Sequence, residues 1–542
     1  MPRVLEALRG AATAGALLVG AWSGAVHAQR GGSAAPRAEP VSPAAIDDTV
    51  ARGMAAFQVP GIAIGIVLDG RLVLAKGYGV REAGKSGAVD AETLFQIGSN
   101  TKAFTAAALA ILVDEGKIRW DDRVIDHLAE FRLQDAYATR EFTIRDLLTH
   151  RSGLGEGAGD LMFYPETDMT RAEIIRGLRH LKPVASFRSR YDYDNLLYMV
   201  AGQIIPAVTG ISWEQFVESR ILAPLHMRGC AATYDRIGER GNLATPHSVI
   251  GGTVAPIAVV RMDAIGPAGT INCNVSGMAK WLETQLADGA MPGGGTLFSP
   301  ERSAEMWTVN TIMPPSPLAG LYRTHFSGYG LGWMLSDVLG FKRVSHTGTV
   351  AGSVSWVTMV PELKLGIVVL TNQESGAAME AIGSQILDGY LGAEKRDWVA
   401  MAQAYAGQKD AVADAVEADV AKIIASAGPP PLSLDAYAGR YSDAWRGDAD
   451  VRRDGDRLML KISRTRQLEG MLLPYQGNIF VVRWRDRSLH ADAFVRFQSD
   501  FDGRIDGMTM RAVSPATDFS FDFQDLDFRR ARLAPAQAER RP

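Results

Sequence analysis

"FQIGSNTKAFTAAALAIL", residues 95–112, sets Ser99 three residues ahead of Lys102 at the start of a long apolar run. A helix that is apolar on most faces is buried on most faces, and Gly116 marks where this one stops. A buried ammonium is costly unless it is paired or has chemistry to do. On a helix, a spacing of three places the two side chains one turn apart on the same face. A serine hydroxyl becomes a nucleophile when a base takes its proton. A lysine serves as that base when burial and the positive end of a helix lower its pKa. Taken alone, the motif also fits a lysine whose stem crosses apolar surface to reach water.

Outward from this helix, residues 45–395 mix strand and helix patterns. "GIAIGIVLDGRLVLAKGYGV" (61–80) predicts a hairpin turning at Asp69-Gly70. "SVSWVTMVPELKLGIVVLTN" (353–372) predicts two more strands, and "WEQFVESRIL" and "SGMAKWLETQLA" two amphipathic helices. Strands at both ends with helices between predict one sheet built from distant segments, a mixed α/β domain. Residues 396–431 read as an alanine-rich helical linker that ends in "GPPP". Residues 432–533 break into short runs with turns at Asp454-Gly455, Gln476-Gly477 and Asp502-Gly503. They predict a small antiparallel barrel or sandwich. Within them "FSFDF" places Phe519, Phe521 and Phe523 on one face of a predicted strand.

Two further clusters carry reactive residue types. In "RYDYDNLLYMVAGQII" (190–205), Tyr193 and Asn195 stand one residue apart ahead of an apolar helix. In an irregular segment both face one cavity, where a phenol shuttles a proton and an amide orients a carbonyl and a lysine. The bland alternative is a helix cap among core tyrosines. In "VSHTGTVAGSVSWV" (344–357), His346, Thr347 and Gly348 fall at a predicted sheet edge. Gly348 is expected to let a substrate backbone come close. The amides of Thr349 and Ser99 are expected to face a developing oxyanion together. The alternative is a plain strand start with a surface histidine.

Ser-x-x-Lys at 99, Tyr-x-Asn at 193 and His-Thr-Gly at 346 occur in that order. In this set the chain resembles the serine β-lactamase and penicillin-binding-protein superfamily, on the branch of class C β-lactamases, D-aminopeptidases and related esterases. "TIRDLLTHRSGL" (143–154), "PLHMRGC" (224–230), "GYGLGWML" (328–335) and "GIVVLTN" (366–372) are similar to family landmarks. The resemblance covers residues 45–390, and the tail after 430 resembles the lipocalin-like barrel often fused to these hydrolases. It implies a β-lactamase/transpeptidase-like domain, an antiparallel sheet with a helical subdomain, followed by a small all-β barrel. It implies Ser99 as the acylated nucleophile, Lys102 as its base and Tyr193 as the proton carrier. It also implies Asn195 as a substrate-positioning residue and His346, Thr347 and Gly348 as the far wall. No cofactor is implied. Class C β-lactamases carry lysine where His346 stands, and a histidine is only partly charged near neutral pH. That departure favours a peptidase or amidase on small peptides with D- or unusual residues, a linearised cyclic peptide such as linear microcystin among them. A carboxylesterase, a β-lactamase or a penicillin-binding sensor are the alternatives.

The bulk numbers agree with an ordinary globular chain: 542 residues, 47% hydrophobic, 22% charged, with a formal net charge of −4. Weak acidity gives no electrostatic ground for a nucleic acid or an anionic membrane as partner. Arg3 and Arg9 precede "AATAGALLVGAWSGAV" and "VHA", so residues 1–28 read as an export signal cut after Ala28, with an uncleaved anchor as the alternative. Residues 29–44 read as a disordered leader. A periplasmic or secreted protein without stable membrane insertion follows. Cys230 and Cys273 form either a disulfide or two buried apolar thiols. No HExxH or CxxC spacing points to a metal. The tail domain is structural, a cover over the cleft, or a surface for homo-oligomers.

Overall fold

The computed structural model describes residues 37–531 apart from Arg240. The export signal expected over 1–28 and half of the expected leader, residues 29–36, lie outside the described residues. Helix α1 (Pro43–Phe57) starts inside the stretch read as leader, capped by the Ser42 hydroxyl.

The expected hairpin is present as β1 (Gly61–Leu68) and β2 (Arg71–Gly79). Helix α2 (Thr101–Asp114) follows, buried from Thr101 to Leu112 as its uniform apolarity predicts. Helices α3 (Asn195–Thr209) and α4 (Val275–Leu286) come from the middle of the chain. The later strands are β3 (Thr311–Ile312), β4 (Ser327–Tyr329), β5 (Met334–Val338), β6 (Phe341–Val350), β7 (Ser353–Val360) and β8 (Leu365–Thr371). Helices α5 (Gly376–Leu391) and α6 (Trp398–Ser426) close this half. The eight strands form one sheet in the order β2-β1-β8-β7-β6-β5-β4-β3. The antiparallel register Ile62↔Thr371 between β1 and β8 joins segments about three hundred positions apart. The sheet is thus assembled from distant segments, and the helical region sits between them. Strands β7 and β8 are buried along their whole length, because helices cover both faces of the sheet.

After α6 the chain forms β9 (Gly439–Asp443), β10 (Gly447–Asp454), β11 (Arg457–Ile462), β12 (Glu469–Gln476), β13 (Ile479–Trp484), β14 (Ala493–Ser499), β15 (Ile505–Ala512) and β16 (Asp527–Arg530). These close into an antiparallel barrel, β9 pairing with β16 through Tyr441↔Arg530. Eight strands leave an interior that side chains fill, here Tyr437, Tyr441, Phe480 and Phe497 in edge-on contacts. The closed form answers the barrel-or-sandwich alternative and is the lipocalin-like shape.

One expectation is corrected. "FSFDF" is not a strand: residues 513–526 form the loop between β15 and β16, ending in a single 3-10 turn at Phe523–Asp525. The Asp518 carboxylate accepts from the Ser520 amide at 2.8 Å, an Asx turn that bends the backbone out of extension. Phe521 and Phe523 are buried, and each contributes about 1.5–3 kcal/mol of anchoring. Phe519 stays 39% exposed and points the other way, toward the first domain.

Helix α6 ties the two halves together. Its first turn is fixed by Trp398 Nε1 donating to Asp388 at 2.7 Å, and near its far end Glu417 pairs with Arg483 of β13 at 2.9 Å. Arg464 of the barrel meets Asp168 and Glu173 of the first domain. Cys230 and Cys273 are joined in a disulfide. Among the described residues no single helix is long and apolar enough to cross a membrane.

Candidate active site

Ser99 sits in the tight turn Gly98–Asn100 that leads into α2. Gly98 has φ +51, and a Cβ there would lie 2.7 Å from the backbone nitrogen of Thr349. Only glycine meets both demands. The turn is pinned from the sheet: Asn100 Nδ2 donates to Ser355 Oγ at 2.7 Å, and that hydroxyl donates to the Ile97 carbonyl at 2.7 Å. Strand β5 pairs with β6 only from Phe341 to Ser345. The stretch His346–Val350 therefore presents an edge free of β5, and the Thr349 amide lies beside the Ser99 turn.

Lys102 is fully buried. Its Nζ meets three acceptors: Ser99 Oγ at 2.9 Å, Asn195 Oδ1 at 2.7 Å and the Ala268 carbonyl at 3.0 Å. An ammonium donates to all three. A neutral amine donates to Asn195 and Ala268 and turns its lone pair to the Ser99 hydroxyl proton. Burial lowers the lysine to about 7, against the opposing pull of the Asp160 and Asp194 carboxylates. Both protonation states are thus within reach near neutral pH.

Tyr193 lies in an irregular segment just before α3, Asp194 caps that helix, and Asn195 is its first residue. Tyr193 and Asn195 both line the cleft, as the spacing predicts. Lys102 Nζ stands 4.7 Å over the Tyr193 ring. Desolvation raises this phenol well above its ordinary range, and a hydrogen bond with Ser99 offsets part of the rise. The phenol therefore keeps its proton at neutral pH and is no standing phenolate.

The third cluster departs from expectation in two ways. His346 is 1% exposed and stands behind the wall, not in it. Its Nδ1 is 2.6 Å from the Thr347 carbonyl and its Nε2 is 2.8 Å from the Tyr329 hydroxyl. With Nδ1 as donor, Nε2 accepts from the tyrosine, so the neutral ring satisfies both. Burial and the nearby Lys102 lower it to about 3, so it is neutral rather than partly charged near pH 7. Gly348 makes its close approach to the protein itself: a Cβ there would lie 2.0 Å from the Ile97 carbonyl. The cleft wall is formed by Thr347 and Thr349.

The cleft has a volume of about 260 Å³. Ser99 and Asn195 lie at its base, Tyr164 and Tyr191 on its sides, and Phe519 of the barrel loop against Tyr193, ring centroids 5.9 Å apart. Glu156 and Asp518 bring carboxylates to it. Neither is ion-paired among the described residues.

Motif reading missed three buried groups beneath the cleft. His150 accepts from the Asp194 amide at 3.0 Å and is ringed by Tyr191, Tyr193, Tyr198 and Tyr329. Burial holds it well below its usual pKa. Asp194 is pushed up to about 7 by burial, and Asp160 well above its usual range by the same cause. "THRSGL" marks the place of His150 in the sequence; nothing local marks Asp160. The described residues hold no group of three or more side chains suited to a metal ion.

A buried lysine bonded to a serine hydroxyl at a helix start, over an antiparallel sheet, is the arrangement of a serine hydrolase. Residues 46–389 match the family described as Beta-lactamase, well over half of the chain, and the chain belongs to that family. Residues 425–530 match a Domain of unknown function (DUF3471). An unguisins hydrolase of Aspergillus campestris is 26% identical over 79% of this chain and 81% of its own length. Penicillin-binding protein 4 of Amycolatopsis lactamdurans is 30% identical over 58% of this chain and 81% of its own. The octameric penicillin-binding protein homologue from Pyrococcus abyssi superposes with a TM-score of 0.60 at 23% identity, over 90% of this chain and 100% of that one. That last likeness is one of fold.

Proposed function

We propose that the protein is an exported serine peptidase or amidase acting on small peptides, and that Ser99 is its acylated nucleophile. The observation that carries the chemistry is the Lys102–Ser99 contact of 2.9 Å at a fully buried lysine. Neutral Lys102 takes the Ser99 proton as Oγ bonds to the substrate carbonyl carbon. The oxyanion forms beside the Ser99 and Thr349 amides. The C–N bond breaks as Tyr193 passes a proton to the leaving amine. Water then attacks the acyl ester, its proton returning through Tyr193 and Lys102, and Ser99 is regenerated.

Two features support a small peptide over a β-lactam. A β-lactam carries a carboxylate, and the residues facing the cleft offer Glu156 and Asp518 while His346 is neutral behind the wall. Carboxylates repel that anion and attract an ammonium, such as a peptide's free amine. The barrel loop also narrows the cleft, which restricts it to short substrates. The hydrolase name of the Aspergillus relative agrees with bond hydrolysis. A carboxylesterase is the second reading, favoured by the aromatic lining of Tyr164, Tyr191 and Phe519. Export rests on the N-terminal pattern of Arg3 and Arg9 before an apolar stretch, and the Cys230–Cys273 disulfide fits an oxidising compartment.

The test is one turnover panel with full-length protein processed at Ala28, comparing matched L- and D-residue peptide amides, a linearised cyclic peptide, a short-chain p-nitrophenyl ester and a chromogenic cephalosporin. Peptide turnover with the cephalosporin intact is expected. Ester turnover alone moves the reading to carboxylesterase. Rapid cephalosporin turnover sinks it in favour of a β-lactamase, and one burst without turnover in favour of a sensor.

Phe519→Ala is expected to widen the substrate range. Removing the ring opens the cleft beside Tyr193, so kcat/KM for longer peptides should rise roughly tenfold relative to dipeptide amides, a change of about 1.4 kcal/mol. Unchanged selectivity in a length series would show that the barrel loop does not limit the substrate.

A further inference from the structure

The loop between the last two barrel strands does more than narrow the cleft. Asp160 lies beneath the site, fully buried. One of its carboxylate oxygens, Oδ2, accepts from Asn195 Nδ2 at 2.7 Å. The same oxygen accepts from the Ser520 hydroxyl of the barrel loop at 2.9 Å. The other oxygen, Oδ1, is buried with no hydrogen-bond partner. Two residues further along the loop, the Asp522 carboxylate accepts the amide of Gly159 at 2.6 Å and that of Leu161 at 3.1 Å. The loop therefore holds the backbone on both sides of Asp160 and its side chain as well. Ser520 and Asp522 are themselves buried, so this is an enclosed junction between two domains.

The junction leads straight to the lysine. Asn195 uses its amide nitrogen on Asp160 and its carbonyl oxygen on Lys102. Asp160 Oδ2 accepts from the Asn195 amide nitrogen as well as from Ser520, which leaves the Asn195 carbonyl oxygen to face the lysine. Turned over, Asn195 would aim N–H groups at an ammonium. The chain Ser520–Asp160–Asn195–Lys102–Ser99 is continuous in hydrogen bonds of 2.7–2.9 Å.

We infer that the barrel completes the catalytic site: Ser520 and Asp522 are positioning residues that hold Asp160, and through it Asn195, in the arrangement that receives Lys102. The inference rests on Ser99 and Lys102 acting as nucleophile and base. The barrel is then required for the rate of the chemical step and not only for the choice of substrate. The protonation state of Asp160 also bears on the lysine. Lys102 is faced by Asp160 and Asp194, by His150 and His346, and by the Tyr193 and Tyr198 rings, with Asp522 behind Asp160. The Ser520 hydroxyl favours the ionised form of Asp160, and ionised Asp160 favours the ammonium. Loss of Ser520 should therefore let Lys102 give up its proton at lower pH.

The experiment is steady-state hydrolysis of a short-chain p-nitrophenyl ester by the full-length protein from acid to alkaline pH. The variants are Ser520→Ala, Ser520→Thr, Asp160→Asn and the Ser520→Ala/Asp160→Asn double variant, with Ser99→Ala as control. Ser520→Ala is expected to lower kcat about tenfold with KM little changed, and to shift the acid limb of kcat/KM to lower pH. Ser520→Thr, which keeps the hydroxyl, should restore most of the rate. In the Asp160→Asn background Ser520→Ala should add almost nothing, because both changes act through one carboxylate. A Ser520→Ala loss that is additive with Asp160→Asn, that leaves the acid limb in place, or that threonine does not restore marks a merely structural contact and overturns the inference. So does a Ser520→Ala enzyme with parental kinetics. Turnover that survives Ser99→Ala overturns the nucleophile reading itself, and this inference with it.

Discussion

Ser99→Ala is expected to lower ester and peptide turnover by roughly 10⁴- to 10⁶-fold, the scale seen when a serine nucleophile is removed from a working constellation. The size follows from what remains. Without Oγ no acyl-enzyme forms, and residual rate comes only from the Thr349 and residue-99 amides and from binding. The fold should hold, because Ser99 Oγ takes part in the Lys102 contact while the turn is pinned by Asn100, Ser355 and Ile97. Intact mass spectrometry after mixing with the ester gives a direct check: the parent gains one acyl group and the Ser99→Ala protein none. Acylation of the alanine variant, or turnover within tenfold of the parent, would move the nucleophile elsewhere.

Local patterns carried the parts of this site that lie on regular elements. Ser99 and Lys102 share a helix start, and a spacing of three has one geometric meaning there. Tyr193 and Asn195 straddle the cap of α3, and the cap residue Asp194 is in the sequence between them. What stayed hidden depends on burial and on partners far away in the chain. His346 is visible as a residue type, but its neutrality comes from the burial of its ring where β6 carries it, which no single residue announces. Asp160 meets Ser520 across 360 positions, with no period or motif to link them. Phe519, Phe521 and Phe523 mislead for a physical reason. Alternate burial is what a strand shows, yet here Phe521 and Phe523 anchor a loop while Phe519 turns to the cleft. A hydroxyl, a carboxylate and a ring from one such loop then reach a site in another domain.

Lys102→Ala is expected to lower kcat/KM by about 10³- to 10⁴-fold, the contribution of a well-placed general base. The parent should show an acid limb with an apparent pKa near 7, the value to which burial lowers this lysine. The sign is fixed by the mechanism. Below that pH Nζ is an ammonium and has no lone pair for the Ser99 proton; above it the amine is free to act. The limb should vanish in Lys102→Ala. It should not return in Lys102→Arg, because a guanidinium stays charged throughout. Stability is expected to rise with pH alongside activity, and to oppose activity only when Lys102 is replaced. Unfolded, the lysine keeps its proton to its ordinary value of 10.5, whereas folded it releases it near 7. Between those values the unfolded chain binds more protons, so stability rises with pH, and the penalty for enclosing the ammonium is greatest below 7. Lys102→Ala removes that penalty, so the variant should remain folded at acid pH while inactive. A Lys102→Ala enzyme with near-parental activity, or an acid limb that persists without the lysine, would remove Lys102 from the chemistry and leave its burial between Ser99 and Asn195 without a catalytic cause.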